Sequence, residues 1–130
     1  MANRKTSTFT EVELEFMQLL WDRGEMSPDE MLQELHGKGR QLADGSVRKI
    51  LSILLDKGHV TRKRDGRTYR YQATVVREQA QKHIVKDMLR RAFSGSAPEM
   101  VASLLDTRDL QAGDLEEIKK LIAEKEAEEG

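Results

Sequence analysis

The chain has 130 residues, 38% of them hydrophobic and 35% charged, with a net charge of −1 and no cysteine. This bounds it to one domain, or one small domain with an appendage, and excludes disulfides, thiolate metal sites and cysteine nucleophiles. No apolar run approaches the roughly 20 residues of a membrane helix, and the opening MANRKTSTFT lacks the apolar stretch of a signal peptide. A cytoplasmic protein with no membrane partner is expected.

Thr10 and Glu13 match a capping box, with Phe9 and Leu14 placed as a hydrophobic staple. Val12, Phe16, Leu19 and Leu20 then recur at helical spacing until Gly24. Ser27 and Glu30 repeat the box, Pro28 stands at the first helical position, and Met26 and Met31 form a second staple. HGKGR, residues 36–40, reads as loop. A third helix begins at Asp44 or Ser46 and ends at Lys57, with Gly58 as its left-handed cap. Val47, Ile50, Leu51 and Leu54 supply its buried stripe. Residues 60–64 and 67–72 are rich in Val, Thr and Tyr, and Asp65-Gly66 between them predicts a type I′ hairpin. Ala80, Ile84, Met88, Leu89, Ala92 and Phe93 mark a long amphipathic helix that SGSAP breaks. Ser96 and Glu99 match a third capping box before a short helix, and Leu115, Ile118, Leu121 and Ile122 form a last one, whose acidic end EKEAEEG is expected to fray.

Three helices, a hairpin and three more helices predict a mainly α fold with a small β-hairpin. Residues 1–73 make a winged helix-turn-helix domain, and residues 74–130 a C-terminal three-helix region. The apolar residues Leu89, Phe93, Val101, Leu104, Leu105, Leu115, Ile118 and Ile122 need more burial than so short a segment supplies. A homodimer covering them is the economical solution.

Charge is uneven along the chain. Residues 40–72 hold nine cations against three acids, whereas residues 73–130 hold nine cations against twelve acids. One region alone therefore suits a polyanionic partner. A helical wheel points Lys49 and Ser52 outward from the third helix, flanked by Ser46, Arg48 and Ile53. These suit base edges in a major groove, and Ile53 suits a thymine methyl. Arg62, Arg64, Arg67 and Arg70 in the hairpin suit phosphate. Tyr69 and Tyr71 share a face of their strand, and at least one is expected to pack inward. His36, His59 and His83 are dispersed and read as surface residues, and no H-E-x-x-H, phosphate loop or G-x-S-x-G is present. No enzyme, metal or cofactor is expected. The composition favours a DNA-binding regulator; the alternative is a winged-helix adaptor that binds protein.

TEVELEFMQLLWDRGEMSPDEML, GSVRKILSILLDKGHVTRKRDGRTYRYQ and LRRAFSGSAPEMV…DLEEIKKLI resemble the penicillinase repressor (BlaI/MecI) family, which includes copper-responsive repressors. Trp21, Pro28, Val47-Arg48, Lys57-Gly58 and Tyr69 fall in register over a match from about residue 10 to residue 125. The resemblance implies a homodimeric winged-helix repressor on a double-stranded operator with dyad symmetry. It implies base contacts from Ser46, Arg48 and Lys49, and wing contacts within residues 62–71, among them Tyr69. The sequence departs from the family in four places. Ala43 replaces the usual Ser or Thr helix cap, so Asp44 is expected to cap one residue later. Ile53 stands where many members carry Arg. The resemblance also implies a sensor protease as partner, which in the family cuts an Asn-Phe bond; Ser103-Leu104 occupies those positions and counts against that partner here. The cysteines of the copper-responsive branch are absent.

Overall fold

The computed structural model describes residues 9–130; the reading of the opening stretch as no signal peptide falls largely outside them. The elements are α1 (Glu11–Arg23), α2 (Pro28–Gly37), α3 (Asp44–Asp56), β1 (Val60–Asp65), β2 (Thr68–Ala73), α4 (Arg77–Phe93), α5 (Ala97–Leu105) and α6 (Asp114–Glu129). They form two compact units, one ending at Met88 and one running from Leu89 to Gly130. The fold is mainly helical with one antiparallel hairpin, as the sequence pattern implies.

Two of the three predicted capping boxes are made in full, and at the third Ser96 Oγ accepts the Glu99 N–H at 3.2 Å. Thr10 Oγ1 accepts the Glu13 N–H at 3.1 Å and the Glu13 carboxylate accepts the Thr10 N–H at 3.1 Å. The Ser27–Glu30 pair does the same at 3.0 and 3.2 Å. Each full box satisfies two backbone donors that a helix start otherwise leaves unpaired. Phe16, Met17, Met31, Leu35, Val47, Leu51 and Leu54 are fully buried and join α1, α2 and α3 in one core, which Val60 and Tyr71 close from the hairpin.

Four details differ from the sequence reading. Helix α2 continues through His36 and Gly37, and His36 Nε2 lies 2.8 Å from the Leu42 carbonyl, tying the following loop back to the helix. His59 is buried, with the Phe9 ring 4.3 Å from its own. The hairpin pairs Asp65 with Thr68, so the central turn residues are Gly66 and Arg67, one step later than expected. Only Gly66 of these has a positive φ (+65°), the mark of a type II′ rather than a type I′ turn. Finally, α6 stays helical through Glu129, with Lys125 within 3.9 Å of Glu128 and 3.7 Å of Glu129. These i,i+3 and i,i+4 pairs offset the acidic repulsion that favours fraying.

The corner after α1 gathers long-range contacts. Met26 and Tyr71 exchange backbone hydrogen bonds at 2.8 and 3.0 Å, a one-residue third strand beside the hairpin. The Trp21 indole N–H donates to the Val75 carbonyl at 2.8 Å. Arg77, at the start of α4, pairs with Asp22, donates to Gln18 at 3.2 Å and lies 5.6 Å from the Trp21 ring centroid. The root of α4 is thus bonded to α1.

Candidate nucleic-acid interface

Helix α3 presents two chemically distinct faces. Val47, Leu51 and Leu54 are buried, Ile50 and Ile53 are half-buried, and Asp44, Gly45, Ser46, Arg48, Lys49 and Ser52 are exposed. All four residues expected to read bases therefore stand on the open face, with Ile53 at its edge. The N-cap is Ala43, whose side chain offers no cap bond. Asp44 does not take over as the cap; it is the first helical residue, and its Oδ2 accepts from Arg48 Nε at 3.0 Å. That hydrogen bond and the carboxylate's charge hold the Arg48 guanidinium above its ordinary pKa.

The hairpin register sorts the wing cations. Arg62 faces Tyr71 and Arg64 faces Tyr69 across the ladder, so these four side chains share one face. Arg62 lies 4.0 Å from the Tyr69 ring centroid and donates to Tyr71 Oη at 3.2 Å. Arg64 donates to Tyr69 Oη at 3.2 Å. Tyr71 is buried, and Tyr69 is half-buried beneath the two arginines. Stacking on an aromatic ring restricts a guanidinium while leaving its outer N–H groups open to phosphate. Arg67 is exposed in the turn.

The other wing face carries Lys63 and Arg70, and both meet Glu25 from the α1–α2 loop. Lys63 Nζ lies 3.1 Å from Glu25 Oε2, and Arg70 Nε lies 3.2 Å from Glu25 Oε1. Arg70 Nη2 also donates to the Glu25 carbonyl at 2.9 Å and reaches Glu30 Oε1 at 3.2 Å. Sequence reasoning missed Glu25 because its partners lie 38 and 45 residues away.

Hydrogen bonding from Lys63, with help from Arg70, holds the Glu25 carboxyl below its ordinary 4.5. The capping N–H of Ser27 and then Arg70 do the same for Glu30. Depressed carboxyl pKa values add stability that is present above about pH 4.5 and lost as pH falls through the lower folded values. A Glu25→Gln variant should therefore melt below the parent at pH 7, and the two melting temperatures should converge as pH drops below 4.5. A constant gap across that range would exclude the ion pairs as the cause.

Among the described residues, no group of three or more His, Asp or Glu could hold a metal ion, and no helix is long and apolar enough to cross a membrane.

The model of the penicillinase repressor family matches residues 9–124. The chain is similar to the methicillin resistance regulatory protein MecI of Staphylococcus aureus strain Mu50, at 21% identity over 95% of this chain and 99% of MecI. It is also similar to the penicillinase repressor of Bacillus licheniformis, at 22% identity over 93% of this chain and 94% of that repressor. Among solved structures, the DNA-binding domain of the repressor BlaI matches with a TM-score of 0.52 and 23% identity, over 58% of this chain and 90% of that domain. A chain from the hsRosR-S1 complex matches with a TM-score of 0.53 and 17% identity, over 94% and 96% of the two chains. These structural likenesses establish the shared fold, and the family match spans most of the chain. The chain belongs to the penicillinase repressor family, whose members are DNA-binding transcriptional repressors and not enzymes.

Proposed function

We propose that the protein works as a homodimer on an operator with dyad symmetry. Each α3 enters a major groove with Ser46, Arg48, Lys49 and Ser52 toward the bases, and the two half-sites lie about 10 bp, or a multiple of it, apart. Arg62, Arg64 and Arg67 hold phosphate from the wing, with Tyr69 beneath the first two. Arg70 stays with Glu25 and Glu30 and sets the wing's direction. The helices after residue 73 make the dimer, and loss of their packing releases the operator. Such a repressor acts in the cytoplasm. Ser103-Leu104 lies within α5, and no cleaving partner is part of this reading.

The observation that carries the proposal is that the exposed cations and the large exposed apolar side chains fall in different stretches of the chain. Among the described residues, the open cations of α3 and the wing precede residue 73, whereas the large exposed apolar side chains begin at Val76. Of the expected interface residues, Val101, Leu104, Leu105, Leu115 and Ile122 are exposed, and Leu89, Phe93 and Ile118 are half-buried.

Fragments selected from the source genome supply the operator for a gel-shift test. Replacing Arg48 and Lys49 together by Ala should reduce specific affinity about 100-fold while circular dichroism stays unchanged, since each good base contact is worth about 1–3 kcal/mol. Replacing Arg64 or Arg67 by Ala should weaken binding to every sequence alike and lower the salt slope by about 1. Unchanged operator affinity in the first variant would remove α3 from the reading.

A further inference from the structure

We propose that Asp44 is a specificity-determining residue: by holding Nε of Arg48, it aims the two terminal nitrogens of that guanidinium at a single guanine. The inference rests on the assignment of Arg48 to a base edge and adds the identity of the base.

Three observations support it. Asp44 is free to turn toward Arg48 because it is the first residue of α3 and leaves the capping position to Ala43. Its carboxylate meets Nε, the inner nitrogen of the guanidinium, at 3.0 Å. Arginine has five N–H donors in a rigid plane, so this contact engages the inner edge and leaves the four N–H groups of Nη1 and Nη2. Those terminal nitrogens are spaced to donate in parallel to O6 and N7 of guanine. Adenine puts an N6 amino donor where guanine has O6, and one of the two N–H groups then meets another donor. A guanidinium locked in this orientation therefore discriminates more sharply than one able to rotate toward a phosphate.

The third observation is that the pair lies open to solvent. Both side chains are about half exposed, 54% for Arg48 and 52% for Asp44, and exposed helix pairs add little to stability. An acid on the surface that meets DNA also opposes binding through its repulsion of phosphate. Asp44 thus lowers affinity in general while favouring one base in particular, and removing it should move these two quantities in opposite directions.

The test is selection from a pool of synthetic duplexes randomised throughout, followed by direct titration of the selected duplex and a scrambled one. The parent should select a position dominated by guanine, and Arg48→Ala should erase that preference. Asp44→Ala should reduce the guanine-over-adenine ratio there about tenfold, yet bind the scrambled duplex about threefold more tightly at low salt. Asp44→Asn keeps an acceptor for Nε without the charge. It should retain most of the preference while sharing the gain in general affinity. If Asp44→Ala tightens both duplexes equally and keeps the parent's preference, the carboxylate acts through charge alone and the proposal is overturned. If Arg48→Ala keeps the guanine preference, the base-reading role of Arg48 itself fails, and the proposal with it.

Discussion

Replacing Leu104 and Ile122 together by Glu should turn the protein into a monomer that binds its operator at least about 100-fold more weakly. Both side chains are 51% exposed, so the substitutions cost the isolated chain little. In an apolar interface between two copies they would bury uncompensated carboxylates, which is strongly unfavourable. Separating the subunits removes the tethering of the second half-site, an effect worth a factor of about 100 to 10,000. Sedimentation velocity at micromolar concentration and gel shifts on duplexes with one or two half-sites give the readout. One-half-site affinity should not change, because the core around Phe16 and Leu51 is untouched. A parent that sediments as a monomer would refute the dimer. A variant that still sediments as a dimer would move the interface off α5 and α6.

Lys57→Met should lower the melting temperature by about 10 °C or more. Glu13 is 3% exposed, and its carboxylate receives the Thr10 N–H and Lys57 Nζ, the latter at 2.8 and 3.0 Å. This group binds the start of α1 to the end of α3. Removing Lys57 leaves a buried charge held by one backbone donor, at a cost of about 2–4 kcal/mol. Each kcal/mol shifts the melting temperature of a domain this size by roughly 4–8 °C. Lys57 keeps 24% of its side chain in solvent, which places the cost toward the lower end. Adding Glu13→Gln removes the stranded charge and preserves the cap acceptor, so the double variant should recover most of the loss. Equal melting temperatures for the single and double variants would show that burial of the carboxylate is not the source.

The helix starts were legible because their causes are local. Thr10–Glu13 and Ser27–Glu30 each lie within four residues, and each box forms. The stripe of Val47, Leu51 and Leu54 identified the open face of α3 for the same reason, since helical spacing alone decides it. The wing turn was misplaced by one residue because DG is a stronger local turn signal than GR. Register is decided instead by pairing along the whole ladder: the observed register sets Arg62 against Tyr71 and Arg64 against Tyr69, where a turn at Asp65-Gly66 would set Arg64 against Arg67. The Met26 strand is a single residue and has no periodicity to detect. Asp44 was assigned to capping because Ala43 cannot cap; that it would turn to Arg48 depends on a rotamer choice that a sequence pattern does not encode. Glu25, which orders two wing cations, was invisible because its partners are distant in sequence and are brought to it only by the fold.

The corner between α1 and α2 has a mechanical consequence. Trp21 and Asp22 hold the root of α4, while Glu25 and Met26, a few residues on, hold the wing. A load on α4 therefore reaches the wing through these six consecutive residues as well as along the short link from Ala73 to Arg77. The sole tryptophan of the chain sits at that junction, with its indole N–H on the Val75 carbonyl, so its emission should shift if that contact opens.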